Sequence, residues 1–278
     1  MSAVTWRVRL ANGLAVVGRV FQKIAKVAPA FTEGAPIGVM RRTDIDMAVA
    51  RSYAAEPDFY NPEHYNLRYE ERIIGPVISY VSGKKLLDLY AGQGREAKIF
   101  AEHGFSVTAV ERLQPVAECG RARMTDAELD VRFIIEDIET WRPEQSDWDV
   151  IYTSLWMLST VPDKAERKRW LEKIAGFGGS DAVFVVSITP HLDLGVAKLR
   201  HGIARVLSRL TFNNRRPEFG DRFHRGLFWR DFSDREIRNE FAGAGLAVLE
   251  RIPCGGADGP PCIFYLLKRQ TGEAEIAA

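Results

Sequence analysis

Residues 84–112, KKLLDLYAGQGREAKIFAEHGFSVTAVER, decide how the chain folds. Residues 84–90 form an apolar run too short for a helix and suited to a buried parallel strand. Ala91-Gly92-Gln93-Gly94 removes side chains where the backbone must turn sharply and let a ligand approach. A helix follows over 95–103, with Ala97, Phe100 and Ala101 on one face and Gly104 placed to end it. Phe105, Val107 and Ala109 then alternate up to Glu111. The stretch therefore reads as strand, glycine turn, helix and a second strand ending on an acid, which is half of a nucleotide-binding crevice.

Two ligands fit such a crevice. Gly92, Gly94 and Ala97 satisfy the loose G-x-G-x-x-G/A pattern of dinucleotide sites, with Glu111 about 20 residues on for a ribose hydroxyl. Asp88, four residues before Gly92, argues for the other ligand. A carboxylate there would repel a pyrophosphate and attract a nucleoside carrying a sulfonium and an ammonium group. Asp88, Ala91, Gly92 and Gly94 resemble motif I of the class I S-adenosylmethionine-dependent methyltransferases, in which an acid at the strand end precedes G-x-G-x-G. Tyr90 replaces the first glycine of that motif.

Further stretches carry the same resemblance. A third strand over 131–135 is followed by Glu136-Asp137-Ile138. The resemblance implies that Asp137 accepts from the adenine amino group and Ile138 packs on the ring; Glu136 is the substitute, and a solvated loop acid is the plain alternative. A fourth strand over 148–154 leads into SLWMLSTVP. There the resemblance implies that Ser154, Leu155 and Trp156 line the sulfonium pocket, since a cation sits well against an aromatic face; Trp156 as ordinary core is the alternative. Sequences that methylate amide or exocyclic base nitrogens often carry [ND]-P-P-[FY] at this point. This chain does not, so no nucleic-acid partner is expected. Segments ahead of motif I often cover the cofactor and hold its carboxylate, which makes Tyr53, Tyr60, Tyr65, Arg68 and Arg72 candidates. The cofactor-binding set implied is Asp88, Tyr90, Ala91, Gly92, Gly94, Glu111 with Arg112 beside it, Asp137, Ile138, Ser154 and Trp156, joined by Tyr65 and Arg68.

Strands and helices alternate from 66 to 269. This predicts an α/β fold: a Rossmann-like, mostly parallel seven-stranded sheet with an antiparallel last strand and helices on both faces. Ser233-Asp234-Arg235-Glu236 is a capping box opening the last helix, which ends in Ala244-Gly245-Leu246. Residues 246–252 and 263–268 make a terminal hairpin. The domain reading is a helical extension and cap over 1–65, a methyltransferase domain over 66–269 with a lid inserted at 190–232, and a disordered tail over 270–278.

The net charge of +1 points to no acidic or basic partner, but the charge is unevenly spread. Residues 1–32 hold five Lys or Arg and no acid, with apolar residues at helical spacing. That pattern suits a helix docked on its own domain, one lying on an anionic membrane, or an organellar presequence. Residues 29–38 read as a linker. Residues 194–230 hold nine Lys or Arg against Glu218 and Asp221. Val196, Leu199, Ile203, Val206, Leu207 and Leu210 give the first half of this segment an apolar stripe, and arginines alternate with phenylalanines in the second. It reads either as a basic face over a packed stripe or as a lid selecting a phosphate, a carboxylate or an anionic lipid headgroup. Cys119, Cys254 and Cys262 are far apart, without metal-ligand spacing, which fits a reduced cytoplasmic protein and no metal site.

The resemblance implies S-adenosylmethionine as cofactor and methyl transfer to an oxygen or nitrogen of a small acceptor, anionic or amphipathic if the basic segment selects it. His191, just after the fifth strand, is the first candidate for a base, and His224 the second. The rival readings are a nicotinamide-dependent oxidoreductase and a catalytically silent, membrane- or partner-binding protein on a methyltransferase core. Oligomeric state is not legible.

Overall fold

The structure, a computed structural model, describes residues 25, 27–55, 69–144, 146–213, 215–256 and 259–270. Helices α1 (27–39) and α2 (Arg42–Ala55) come first, and α3 (Glu71–Tyr80) leads into strand β1 (Lys85–Leu89). Then follow α4 (Arg95–Glu102), β2 (Ser106–Glu111), α5 (Gln114–Asp126), β3 (Val131–Ile135), β4 (Trp148–Thr153), α6 (Lys164–Ala175) and β5 (Gly178–Pro190). These five strands lie in the order β3-β2-β1-β4-β5 and pair in parallel. Helix α7 (Leu194–Leu210), strands β6 (Asp221–His224) and β7 (Leu227–Phe232), helix α8 (Asp234–Gly243) and strands β8 (Leu246–Gly256) and β9 (Gly259–Arg269) complete the described chain.

β9 runs antiparallel against both β5 and β8, so the predicted terminal hairpin inserts its second strand beside β5. The sheet has two strands more than the seven expected, because β6 and β7 form within the basic segment. Arg225 and Gly226, at φ 50° and 79°, make the left-handed pair that a tight hairpin turn needs. Phe223, Phe228 and Trp229 supply the β-favouring side chains. The turn is hard to foresee because arginine is not a usual residue for positive φ. The β3–β4 connection also departs from strict alternation, since its described residues carry no helix. Trp141 instead packs on Trp148 and Phe177.

Contacts divide the chain into two compact units, one joining the chain up to Ala50 with His191–Trp229, the other Arg51–Pro190 with Arg230–Ala278. In the second unit alternate strand residues bury on opposite faces of the sheet. Leu87, Leu89, Ile151, Phe184 and Val186 pack with Trp170, Leu171 and Ile174 of α6 and Ile237 and Phe241 of α8. Leu86, Val150, Tyr152, Val183 and Val185 pack with Ile73 and Val77 of α3 and Phe100 of α4. Arg167 on α6, fully buried, makes two 2.8 Å bonds to the Glu240 carboxylate on α8 and locks those helices together.

In the first unit α1 lies against α7. A Cβ on Gly38 would stand 2.5 Å from the Ala204 carbonyl oxygen, so the helices can approach this closely only because glycine sits there. Ile37, Ile45, Ala204 and Phe228 form the small core, and Arg200 on α7 bonds Glu33 on α1 at 2.8 Å. Residues 29–38 are therefore helical and not a linker. Packing along the Gly34–Gly38 face overrides the helix-breaking composition that suggested otherwise. Residues 1–24 and 271–278 lie outside the described residues, so the expectations of a basic N-terminal helix and a disordered tail rest there. Among the described residues no helix is long and apolar enough to cross a membrane.

Candidate active site

β1 and β4 are neighbours from which the chain leaves in opposite directions, the switch point beyond whose carboxyl ends open α/β sheets bind ligands. The turn after β1 is built from backbone conformations that side chains normally avoid: Tyr90 at φ 62°, Gly92 at 57° and Gly94 at 78°. A Cβ on Gly94 would lie 2.9 Å from Cζ of Phe133. The turn closes on itself through the Gly94 N–H, which donates to the Ala91 carbonyl at 2.8 Å. Glu111, at the end of β2, pins it from the side: Oε2 accepts from the Gly92 N–H at 3.0 Å and Oε1 from the Leu113 N–H at 2.9 Å. Each carboxylate oxygen keeps acceptor capacity for a ligand hydroxyl.

Beneath the turn lies a cluster of acids. Asp88 is 0 % exposed, and neither of its carboxylate oxygens has a hydrogen-bond partner. Burial pushes its carboxyl well above the usual carboxylate range, Glu96, Glu70 and Glu111 push the same way, and Arg95 opposes them. Arg95, in the first turn of α4, grips Glu70 through both terminal nitrogens at 3.0 and 2.9 Å and reaches Glu96 at 2.6 Å. The Tyr152 hydroxyl donates to Glu70 at 3.1 Å. Burial raises the Glu70 carboxyl above its ordinary value despite Arg95. Glu70, Glu96 and Glu111 thus all act on Asp88, and the guanidinium of Arg95, which opposes them, is bonded to Glu70 and Glu96. Such an excess suits a cationic ligand, because a buried acid without a partner is costly until a positive group arrives.

Sequence reasoning found Asp88 and Glu111 but missed Glu70, Arg95, Glu96 and Tyr152. Arg95 and Glu96 follow the turn directly, yet on a helical pattern they read as the wet face of α4. Glu70 comes from outside the motif altogether.

The remaining candidates are placed as follows. The Tyr90 hydroxyl accepts from the Trp170 indole at 2.9 Å and donates to Glu139 at 3.2 Å, and burial pushes its phenol pKa well above the ordinary tyrosine value. The Ser154 N–H donates to the Leu89 carbonyl at 3.0 Å, which ties the end of β4 to the end of β1. Trp156 sits at φ 61°, its N–H donates to the Ser187 hydroxyl at 2.6 Å, and its ring meets Tyr69 edge-on. Asp137 is exposed and accepts from the Glu139 N–H at 2.9 Å, while Ile138 is buried in the core with Leu89 and Trp170. Arg112 and Arg72 are exposed. Tyr60, Tyr65 and Arg68, with the side chain of Tyr53, lie outside the described residues. His191 and His224 belong to the first unit, where His191 packs on Phe219 and Nδ1 of His224 lies 3.2 Å from Glu33.

Comparison with known proteins agrees with this geometry. Residues 86–177 match the family model described as a methyltransferase domain. Over 86 residues the chain is 34% identical to the protein-L-isoaspartate O-methyltransferase of Methylorubrum populi, which covers 31% of this chain and 40% of that protein's length. Among solved structures, an S-adenosylmethionine-dependent methyltransferase from Clostridium acetobutylicum is similar with a TM-score of 0.56 at 16% identity, over 80% of this chain and 100% of its own. The 1,6-didemethyltoxoflavin-N1-methyltransferase of Burkholderia thailandensis, solved with 1,6-didemethyltoxoflavin and S-adenosylhomocysteine, is similar with a TM-score of 0.58 at 16% identity, over 80% and 86%. The chain thus shares the Rossmann-like fold of these solved methyltransferases, and residues 86–177 are the part that matches the methyltransferase-domain family. S-adenosylmethionine, the cofactor of that family, fits the residues present: the unpartnered Asp88 meets a cationic group, and the side-chain-free turn admits a ligand against backbone. The dinucleotide alternative fits less well, because β9 is antiparallel and Asp88 would face a pyrophosphate.

Proposed function

We propose that the protein transfers a methyl group from S-adenosylmethionine to an oxygen or nitrogen of a small-molecule acceptor. The observation that carries this reading is the Asp88 carboxylate, buried at the end of β1 with no hydrogen-bond partner and surrounded by further acids. When bound, the cofactor supplies a methyl carbon already made electrophilic by the sulfonium. The chain's own task is then to bind, orient and exclude water. Asp88 supplies the counter-charge for the donor's positive groups. Glu111, held by two backbone donors, offers its remaining lone pairs to the ribose hydroxyls. Gly92 and Gly94 allow close backbone approach, Asp137 serves the adenine end, and Ser154 and Trp156 serve the methyl end. His191 and His224 enter as the candidate proton acceptors.

An anionic acceptor draws support from the basic segment, with a qualification from its contacts. Arg200 and Arg215 are already engaged by Glu33 and Asp221, while Lys198, Arg205, Arg209 and Arg216 lie on the surface. The small-molecule reading is favoured by the toxoflavin-precursor enzyme among the structural neighbours.

Isothermal calorimetry with S-adenosylmethionine tests the proposal. Saturable binding is expected, weakened about tenfold or more in Asp88→Asn, the loss typical of a hydrogen bond to a charged group. Equal affinity of parent and variant would remove the argument. Screening acceptors for S-adenosylhomocysteine release then finds the substrate, and a chain that binds the cofactor but turns over no acceptor would favour the silent-core reading.

A further inference from the structure

Helix α7 buries the wrong residues for an ordinary surface helix. Its buried positions are Ala197, Arg200, Ala204 and Ser208, two small residues and two polar ones. Val196, Ile203 and Leu207 are half-buried, while three other large apolar residues face outward: Leu199 is 41% exposed, Val206 54% and Leu210 68%. These three recur at i, i+7 and i+11 and so form one row along the helix. Lys198, Arg205 and Arg209 repeat that spacing one residue earlier, which sets a basic row about 100° round the helix from the apolar one. All three are exposed, and the helix contains no acid.

Phe212 continues the apolar row past the helix end and is 91% exposed. It is not a side chain on a slack loop. Phe212 itself sits at φ 51°, a strained position for an aromatic residue, and the backbone on either side is pinned. The Thr211 hydroxyl donates to the Leu207 carbonyl at 2.8 Å with the Gly38 carbonyl at 3.2 Å, and the Asn213 amide donates to the carbonyls of Gly38 at 3.2 Å and Met40 at 2.7 Å. The fold thus spends backbone strain and these polar groups to hold a bare phenylalanine out in water. A left-handed residue just past a helix end is common, but glycine is the usual choice there, and a bare phenylalanine is not.

We propose that the exposed face of α7, with Phe212 at its tip, docks on an anionic lipid bilayer. The basic row meets headgroup phosphates, and the leucines, Val206 and Phe212 enter the boundary between headgroups and acyl chains. A bilayer accepts both rows at once. A second copy of this chain on the same face would set basic row against basic row.

The test uses the full-length chain, co-sedimented with phosphatidylcholine vesicles and with phosphatidylcholine–phosphatidylglycerol vesicles. Binding is expected to the anionic vesicles and to fall with added salt. The double variant Leu210→Ser/Phe212→Ser is expected to weaken it about tenfold or more, from the apolar area no longer buried. Arg205→Glu/Arg209→Glu is expected to weaken it by at least about tenfold through lost headgroup attraction. No sedimentation with anionic vesicles overturns the proposal. Unchanged binding in both variants also overturns it, since the contact would then lie elsewhere in the chain. Sedimentation velocity without lipid is expected to show a monomer; a dimer that Leu210→Ser/Phe212→Ser splits would assign the face to a second copy. Both variants are expected to melt and to bind S-adenosylmethionine as the parent does, which separates this proposal from the cofactor assignment.

Discussion

The crevice of the second unit and the helical first unit handle buried charge in opposite ways. Beyond β1, Glu70 and Glu96 share Arg95, Glu111 stands near, and Asp88 is left with no hydrogen bond. In the first unit, Arg200 has Glu33 at 2.8 Å and Arg215 has Asp221 at 2.6 Å, each guanidinium with its own acid. Matched charges hold a fold together and gain little else, whereas an unmatched buried acid costs stability until a ligand completes it. The first unit keeps its mismatch on the outside, as apolar side chains in water along α7. Both departures from ordinary burial point to something that binds.

The sharpest test of that contrast is Arg95→Ala. It leaves Glu70 and Glu96 without their buried counter-charge and should cost about 3–5 kcal/mol in urea denaturation, the range for breaking one side of a buried pair. Arg200→Ala removes one of two partners of Glu33, which keeps His224 at 3.2 Å and 17% side-chain exposure, so the expected cost is smaller, about 1–3 kcal/mol. Equal losses in the two variants would erase the distinction between a shared guanidinium and a matched one.

Gly94→Ala places a Cβ at φ 78° and within 2.9 Å of Phe133. A loss of about 1–2 kcal/mol is expected, together with weaker S-adenosylmethionine binding by calorimetry. A variant as stable as the parent would mean that the turn relaxes freely and is not pre-formed for a ligand.

The smallest effect on stability has the opposite sign. The Asp88 carboxyl is held well above the ordinary value of 3.8, so the folded chain binds this proton more tightly than the unfolded one. Its contribution to stability is complete below that ordinary value and is lost as pH rises through the raised folded-state value. Asp88→Asn should therefore melt higher than the parent near neutral pH, with a gap that closes as pH falls towards 4, while cofactor affinity drops. A variant that melts lower than the parent at neutral pH would show that Asp88 is already satisfied in the free protein.

Much of the second unit was readable in order along the chain. The run LLDLY makes a strand because a parallel strand buried on both faces needs near-continuous apolar residues. Asp88 stands out because an acid inside such a run has no structural excuse. Ser233 and Glu236 mark the start of α8, and the Ser233 hydroxyl accepts from the Glu236 N–H as a cap should. These features are local, set by residues a few positions apart. The Arg225-Gly226 hairpin and the helical course of 29–38 were not readable, since each is imposed against local preference by neighbours distant in the chain.

From residue order alone came the strand–turn–helix unit, the acid before the glycines and the surplus of positive charge near 194–230. Periodicity and turn chemistry act over a few residues and survive in a linear string. Three things required the folded chain: that Glu70, Arg95 and Tyr152 gather around Asp88, that Arg200 is spoken for by Glu33, and that α7 turns its leucines outward. Which face of a helix is buried, and which acid finds a guanidinium, depends on side chains brought together from far apart, 167 positions for Glu33 and Arg200, and no local pattern carries that information.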